Sequence, residues 1–255
     1  MTQLHVETAG QGLDLVLLHG WGMHGGIWDG MRAALTDKFR LHVVDLPGYG
    51  ASAHVEPYTL AELARVVAAA LPQQAQVCGW SLGGQVAMRW ALDFPAQVER
   101  LILLGTTPCF RQRADWPHGM DEATLAEFAR SLETDYAGTL KRFLSLQARS
   151  GDEARAVIAA LREKLFARGE PSLATLRGGL AILHALDLRD AVAGIRQPTL
   201  LIHGARDTLT PLAAGQWLAR QLPHSTLSIV DGSAHAPFLS HRAETLHAME
   251  HFLNG

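Results

Sequence analysis

The segment AQVCGWSLGG, residues 75–84, joins a short apolar run directly to a glycine-rich turn and the start of a helical pattern. Within it, GWSLG at 79–83 matches G-x-S-x-G in the strand, turn and helix context that this motif requires. Such a turn strains the serine backbone at the carboxyl edge of a sheet, and glycines on either side avoid collisions with neighbouring backbone. The segment therefore predicts Ser81 as a nucleophile presented to substrate. A helix N-cap serine followed by small packing residues is the alternative.

Outside this segment, short apolar runs alternate with longer stretches of helical period, a pattern typical of parallel strands joined by crossover helices. The predicted strands are Leu13 to Leu18, Leu41 to Leu46, Ala75 to Trp80, Leu101 to Gly105, Thr199 to His203 and Thr226 to Val230. The predicted helices lie near Ile27 to Leu35, Leu60 to Leu71, Leu82 to Phe94, Leu212 to Leu222 and His241 to Leu253. The class is therefore α/β, with a mostly parallel central sheet flanked by helices.

From about Pro108 to Leu188 this alternation stops, and the segment looks helical by period and composition. An insertion of this kind between two core strands is expected to form a lid over one edge of the sheet. We therefore predict a core of residues 1–107 and 189–255 and a helical lid subdomain of residues 108–188.

The composition is that of an ordinary globular protein of one domain, with 255 residues, 48% hydrophobic and 18% charged residues, and a formal charge of -3. This balance indicates no global basic field for nucleic acid or anionic lipid. The first residues lack a signal-peptide pattern, and no apolar run approaches the ~20 residues of a membrane span, so a cytoplasmic location is expected. The two cysteines, Cys78 and Cys109, build no disulfide framework, and no spacing indicates a metal or other cofactor.

A resemblance over the full length of the chain rests on motifs that occur in a fixed order: HGWG at 19–22, DLPGYGAS at 45–52, GWSLGG at 79–84, HGARD at 203–207 and DGSAHAPF at 231–238. In this order they resemble the α/β-hydrolase superfamily, which implies that fold. Finer strings are similar to the esterases that act on the methyl ester of pimeloyl-[acyl-carrier protein] in biotin synthesis: TTPCF at 106–110, RFLSLQ at 142–147 and SAHAPFLSH at 233–241. The resemblance implies a serine carboxylesterase that releases methanol and the pimeloyl thioester.

The resemblance also implies the partners of Ser81, because in this superfamily an acid and then a histidine follow the serine along the chain. Asp207 and His235 come after the last two predicted strands in that order. The histidine would take the hydroxyl proton, and the acid would orient the histidine. Asp231, four residues before His235, is the competing acid. A surface or helix-capping carboxylate is the alternative for Asp207, and an exposed loop histidine is the alternative for His235.

The same resemblance implies an oxyanion hole built from two backbone amides, those of Leu82 and Trp21. An ordinary turn between a strand and a helix is the alternative for the loop that carries Trp21. The residues implied to line the acyl site are Trp21, Ser81, Leu82, Phe143, Leu144, Ser145, Leu146, Gln147 and His235. Packing inside the lid is the alternative for Phe143 and Leu146, because apolar helical positions usually pack.

The predicted lid is locally basic, with seven basic and three acidic residues between Lys141 and Arg168. Acyl carrier proteins are acidic, so this segment is a candidate surface for a carrier protein that bears a methyl pimeloyl group. Arg142 and Arg155 are the candidate contacts, and a solvated helix face explains the same charges. We expect neither nucleic acid nor membrane as a partner, and we expect a monomer.

Two other functions stay open at this point. The first is a general short-chain carboxylesterase or a carbon–carbon bond hydrolase of the same fold, because a catalytic triad does not select the substrate. The second, from a different class, is a non-catalytic binding protein that keeps the hydrolase fold. A fluorophosphonate probe separates the last from the others, since only an activated serine reacts rapidly with it.

Overall fold

A seven-stranded sheet forms the centre of the computed structural model, which describes residues 3–146 and 152–255. The strands are β1 (Val6–Ala9), β2 (Leu13–Leu18), β3 (Phe39–Val44), β4 (Ala75–Trp80), β5 (Val98–Leu104), β6 (Thr199–Gly204) and β7 (Ser225–Val230). Their order is β1-β3-β2-β4-β5-β6-β7. Strands β2 to β7 are parallel, and β1 is antiparallel to β3. The predicted α/β class with a mostly parallel sheet is confirmed.

Helices flank this sheet and also form the segment inserted between β5 and β6. They are α1 (Asp29–Thr36), α2 (Leu60–Ala70), α3 (Leu82–Asp93), α4 (Glu122–Thr134), α5 (Tyr136–Leu146), α6 (Asp152–Leu165), α7 (Leu173–Ala185), α8 (Leu212–Gln221), α9 (Pro237–Ser240) and α10 (Arg242–Asn254), with 3-10 turns at Gly25–Trp28 and Val192–Gly194. Several begin at the N-cap residues that favour a helix start: the side chains of Thr59, Asp121 and Ser172 each accept a hydrogen bond from a backbone amide in the first turn.

The sequence patterns predict most of these elements, with differences at their ends. Strand β3 begins two residues before the predicted start, and Asp45 and Leu46, which the prediction includes in the strand, belong to the turn that follows. The patterns miss strand β1, a four-residue edge strand with the sequence VETA that is only partly buried. A strand this short shows no clear alternation of apolar and polar residues, so periodicity does not detect it.

The strand order reverses between β2 and β4: β2 is followed by β3 on one side of it, and β4 is followed by β5 on the other side. Strand β2 pairs with β3 on one side and with β4 on the other, so the connections that follow these strands leave in opposite directions. A crevice opens at the carboxyl ends of the strands at such a point, and ligands bind there in open α/β sheets. The loop after β2 begins at His19 and the turn after β4 carries Ser81, so both lie at this crevice.

The four helices α4 to α7 occupy the predicted lid segment between β5 and β6. The end of α6 is held to the core by two cations: Lys164 pairs with Asp29, and Arg168, just beyond the helix, pairs with Glu7 and with the buried Asp45. Two of the seven basic residues counted in the sequence therefore form ion pairs with the core. The positive charge that the lid offers to a partner is therefore smaller than the count of basic residues in the sequence indicates.

None of the described helices combines the length and the apolar character that crossing a membrane requires.

Candidate active site

Ser81 lies in a backbone conformation that glycine usually occupies, with φ 56° and ψ -120°. No other non-glycine residue in the described part of the chain has a positive φ. Its amide donates to the carbonyl of Leu104 over 3.0 Å, and its own carbonyl accepts from Gly84 and Gln85 at the start of α3. These bonds hold the strained turn between strand and helix. The observed strain is therefore a feature of the predicted nucleophile itself.

Gly83 explains why the turn needs a glycine two residues after the serine. A Cβ at this position would collide with the backbone carbonyl oxygens of Leu18 and His19, at the end of β2. Helix α3 therefore approaches the end of β2 more closely than a side chain allows. This approach brings the first turn of α3 beside the HGWG loop.

Asp207 is buried in the loop after β6, and its carboxylate is fully hydrogen-bonded. Oδ1 accepts from the amides of Leu209 and Thr210, at 2.9 and 3.0 Å. Oδ2 accepts from the Thr210 hydroxyl at 2.7 Å and lies 2.8 Å from His235 Nδ1. Burial alone would raise the pKa of this carboxyl, but the charge and hydrogen bond of His235, with His203 and the Thr210 amide, outweigh burial and lower it. The group is thus held as a carboxylate.

His235 is buried in the loop after β7, and its backbone and its ring are both held. Its carbonyl accepts from the Trp80 indole over 2.9 Å, which ties this loop to the residue before Ser81. Its Nδ1 donates to Asp207, because the carboxylate can only accept. The other ring nitrogen, Nε2, is buried and has no hydrogen-bond partner among the described residues, Ser81 included. Bonds between a nucleophile and its base are often long before substrate binds, so Nε2 is the nitrogen left to act as a base.

Asp231, the competing acid, lies elsewhere. It is exposed at the end of β7, and within the described chain no hydrogen bond or ion pair connects it to His235. The structure therefore joins His235 to Asp207 and not to Asp231.

The two amides predicted as oxyanion donors are those of Leu82, at the first position of α3, and Trp21, in the loop after β2. Neither amide donates a hydrogen bond to another described residue, so each keeps a free N–H at the crevice. The Trp21 side chain is buried, and its indole donates to the carbonyl of Leu176 in α7 over 3.0 Å. The oxyanion loop is thereby attached to the inserted helices.

The predicted acyl-site residues of α5 divide into three groups. Phe143 and Leu144 are buried, and the Phe143 ring lies 4.8 Å from the Trp21 ring in an edge-to-face contact. Ser145 is partly exposed, and its hydroxyl donates to the carbonyl of Lys141. Leu146 is the last residue of α5, and Gln147 lies outside the described residues. Phe143 is thus in direct contact with Trp21, another predicted site residue.

The two candidate partner contacts, Arg142 in α5 and Arg155 in α6, are both exposed. One guanidinium nitrogen of Arg142 donates to the Thr139 hydroxyl within the same helix. The candidate docking surface therefore lies on α5 and on the part of α6 that carries Arg155, whereas Lys164 at the end of α6 pairs with the core.

Sequence reasoning missed the buried polar residues around the site, above all His19, His203 and Thr210. His19 Nδ1 donates to the Gly20 carbonyl over 2.8 Å, and Nε2 accepts from the Leu46 amide, so the ring is neutral and shapes the loop before Trp21. His203 Nε2 donates to the Thr210 carbonyl over 2.5 Å. His19 and His203 stand at the start of the HGWG and HGARD motifs, but no sequence signal indicates their hydrogen bonds or singles out Thr210.

The buried His19 is expected to make the protein less stable in acid. Burial lowers its pKa from 6.5 to about 4, against the opposing effects of the Gly20 carbonyl and Asp45. Between these values the unfolded chain binds a proton that the folded chain does not, so stability is complete above pH 6.5 and is lost as the pH falls toward 4. We expect a loss of about 3 kcal/mol from this group over that range, measured as the free energy of unfolding in urea.

The matched variant is His19→Gln, whose amide can still donate and accept but does not titrate. It should show a shallower decrease in stability between pH 6.5 and 4, with a residual slope from His24 and His203, whose pKa values are also lowered by burial. An unchanged slope in this variant would contradict the assignment to His19.

Within residues 3–146 and 152–255, no cluster of three or more His, Cys, Asp or Glu side chains has the arrangement to hold a metal ion. The groups assembled at the crevice are instead a strained serine, an imidazole paired to a carboxylate, and two free amides. This set is suited to nucleophilic attack on a carbonyl carbon through an oxyanion intermediate.

Comparison with known proteins agrees with this chemistry. The model of the alpha/beta hydrolase fold family matches residues 15–242. The chain is 48% identical over 240 residues to the pimeloyl-[acyl-carrier protein] methyl ester esterase of Nitrosomonas europaea, covering 94% of this chain and 95% of that protein. It is 43% identical over 250 residues to the esterase of the same name from Aeromonas hydrophila, covering 97% and 98%.

Solved structures show the same fold. A hydrolase from Pseudomonas aeruginosa is similar with a TM-score of 0.86 and 29% identity, covering 99% of this chain and 94% of that one. An esterase from Exiguobacterium antarcticum has a TM-score of 0.89 and 24% identity, covering 100% and 96%. The second likeness concerns the fold alone.

Proposed function

The chain belongs to the alpha/beta hydrolase family and, within it, to the pimeloyl-[acyl-carrier protein] methyl ester esterases, and on this premise we propose that it is a serine carboxylesterase of biotin synthesis. Its substrate is the methyl ester of pimeloyl-[acyl-carrier protein], and its products are pimeloyl-[acyl-carrier protein] and methanol. We expect it to act as a monomer in the cytoplasm.

The observation that carries this proposal is the pair formed by His235 and Asp207, with 2.8 Å between Nδ1 and Oδ2 and with Nε2 left unpaired. A carboxylate at Nδ1 stabilises the tautomer in which Nε2 is basic. The Trp80 indole holds the same histidine loop to the residue before Ser81. A basic nitrogen and a strained serine on connected turns are what acyl transfer requires.

In the first half of the reaction, His235 Nε2 takes the proton of the Ser81 hydroxyl as its oxygen attacks the methyl ester carbonyl. The amides of Leu82 and Trp21 donate to the oxyanion that forms. The imidazolium then gives its proton to the departing methoxide, so methanol leaves and the pimeloyl group is bonded to Ser81. Asp207 stays ionised and stabilises the imidazolium.

In the second half, a water molecule takes the place of methanol. Nε2 of His235 removes its proton as the water oxygen attacks the acyl-enzyme carbonyl, and the same amides hold the oxyanion. The imidazolium returns the proton to the oxygen of Ser81, and the bond between this oxygen and the acyl carbon breaks. The pimeloyl chain leaves with a free carboxylic acid end, which loses its proton to water at neutral pH. The machinery needs no metal, since the chain itself supplies base, nucleophile and oxyanion donors.

Residues 108–188 are proposed to act as the lid over this site. Phe143 on α5 supplies apolar surface beside Trp21, which suits the methylene chain of a pimeloyl group, and the neighbouring Leu144 is buried as well. Ser145, Leu146 and Gln147 continue the proposed acyl-site segment. The contact between Trp21 and the Leu176 carbonyl links the lid to the loop that carries an oxyanion donor.

A charge reversal, Arg142→Glu, is expected to raise KM for the carrier-bound ester about fivefold, because an acidic carrier protein loses one exposed cation and meets an anion. The rise should be smaller at high salt, which screens exposed charges. Steady-state kinetics with methyl pimeloyl-[acyl-carrier protein] measures it, and a small free ester such as dimethyl pimelate should not show the rise.

The control for that variant is Arg220→Glu, the same charge change on an exposed residue of α8. It should leave KM for the carrier-bound ester within about twofold. Equal effects of the two substitutions would mean that net charge, and not a docking surface on α5, determines the interaction. Arg155→Glu extends the test to α6.

The proposed function itself is tested by comparing methyl pimeloyl-[acyl-carrier protein] with simple aryl esters, and by rescue of a biotin-requiring strain that lacks its own esterase. We expect hydrolysis of the carrier-bound ester and growth without biotin. A soluble, expressed chain that hydrolyses aryl esters but fails in both other assays would indicate the general carboxylesterase instead.

A further inference from the structure

The carboxylate of Asp207 accepts four donors, and three of them come from one short turn. Thr210 alone supplies two, its amide to Oδ1 and its hydroxyl to Oδ2. The hydroxyl shares Oδ2 with His235 Nδ1 and lies 3.3 Å from that nitrogen. Since each carboxylate oxygen accepts about two hydrogen bonds, the donors of this turn leave one acceptor position for the imidazole.

Thr210 is itself held from the other side. It is buried, and its carbonyl accepts from Nε2 of the fully buried His203. His203 also lies 3.7 Å from Asp207 Oδ2, too far for a hydrogen bond, so its contact with Thr210 is the stronger one. A chain of contacts therefore runs from His203 through Thr210 to the acid and the imidazole.

We propose that Thr210 is a positioning residue for this esterase, whose hydroxyl orients the Asp207 carboxylate so that the remaining position on Oδ2 faces His235 Nδ1. The inference rests on the proposed function, because it assigns Thr210 a part in that reaction. In the described chain the hydroxyl makes no hydrogen bond with Ser81 or with the free amides, and its neighbours are the Asp207 carboxylate and the His235 imidazole, so it acts through that pair. Without it, the carboxylate keeps the amide contacts at Oδ1 and gains freedom to turn at Oδ2.

Two matched pairs of side chains isolate the hydroxyl. Threonine and valine have the same shape and differ in the hydroxyl, and serine and alanine differ in the same way without the methyl group. We expect kcat for p-nitrophenyl acetate to fall about tenfold in Thr210→Val and in Thr210→Ala, with KM within about twofold, and Thr210→Ser to recover most of kcat. Urea unfolding identifies any variant that fails to fold, and either folded pair is sufficient.

The proton on His235 Nδ1 gives a second measurement that needs no turnover. Its low-field proton NMR resonance should move in Thr210→Val and Thr210→Ala and stay near the wild-type position in Thr210→Ser. The proposal is wrong if the methyl group and not the hydroxyl determines kcat and the resonance. In that case Thr210→Ser would be as impaired as Thr210→Ala, and Thr210→Val would be as active as the wild type. Absence of any ester hydrolysis by the wild type would instead contradict the proposed function, and the resonance would still test the contact.

Discussion

Replacing Ser81 with alanine is expected to lower the rate of methyl ester hydrolysis at least about 10⁴-fold, the range found when a serine hydrolase loses its nucleophile. The variant keeps the oxyanion amides and the pair of His235 and Asp207, but it has no atom that can form the acyl enzyme. Methanol release from methyl pimeloyl-[acyl-carrier protein] measures the rate. The strained turn should persist, because the backbone bonds that hold it do not involve the hydroxyl.

The matched control is Ser228→Ala on the edge strand β7, where the same atom is lost from a partly exposed serine outside the predicted site. It should retain turnover within about twofold and should still react with a fluorophosphonate probe, which Ser81→Ala should not. Near-normal turnover by a folded Ser81→Ala protein would eliminate the covalent mechanism and with it the triad.

How far the fold follows from the sequence depends on how locally each element is encoded. The buried strand β4 was predicted at its observed limits, because its six residues are all buried and a glycine-rich turn ends it. The edge strand β1 was missed, because pairing with β3 and not its own pattern makes it a strand. The attachment of α6 to the core through Arg168 and Asp45 joins residues 123 positions apart, and no local pattern predicts such a pair.

The candidate site likewise has residues that a local motif predicts and residues that only distant contacts identify. Ser81 was found because the strand, the G-x-S-x-G motif and the start of the helix lie in one continuous segment, residues 75–84, and the structure gives Ser81 the strained backbone that the motif implies. The roles of His235 and Asp207 remain predictions, but the sequence order selected the two side chains that form a hydrogen bond. Thr210 was missed, since a threonine in a loop has many explanations until its hydroxyl is seen beside a buried carboxylate.

Asp207→Asn is the second substitution for which a large effect is expected, a decrease in kcat of about 10³ to 10⁴-fold. An asparagine fills the same space, and its amide oxygen takes the Oδ1 position, which accepts from two backbone amides. Its NH2 group then faces Nδ1, which has to accept, so the imidazole proton moves to Nε2. In that tautomer Nε2 carries a hydrogen and cannot accept the proton of the serine. Because Asp207 is buried, its replacement also affects the stability of the fold. The free energy of unfolding in urea should therefore be measured beside the kinetics.

Asp231→Asn is the matched control, because Asp231 is the competing acid in the sequence. The substitution removes the same negative charge as Asp207→Asn, four residues before His235. Asp231 is exposed and is not bonded to the imidazole, so its replacement should change kcat by no more than about twofold. A reversed result, with Asp231→Asn inactive and Asp207→Asn active, would assign the acid to Asp231 and would require the histidine loop to rearrange before catalysis. The two variants therefore decide between the acid that the structure pairs with His235 and an acid that would have to take its place.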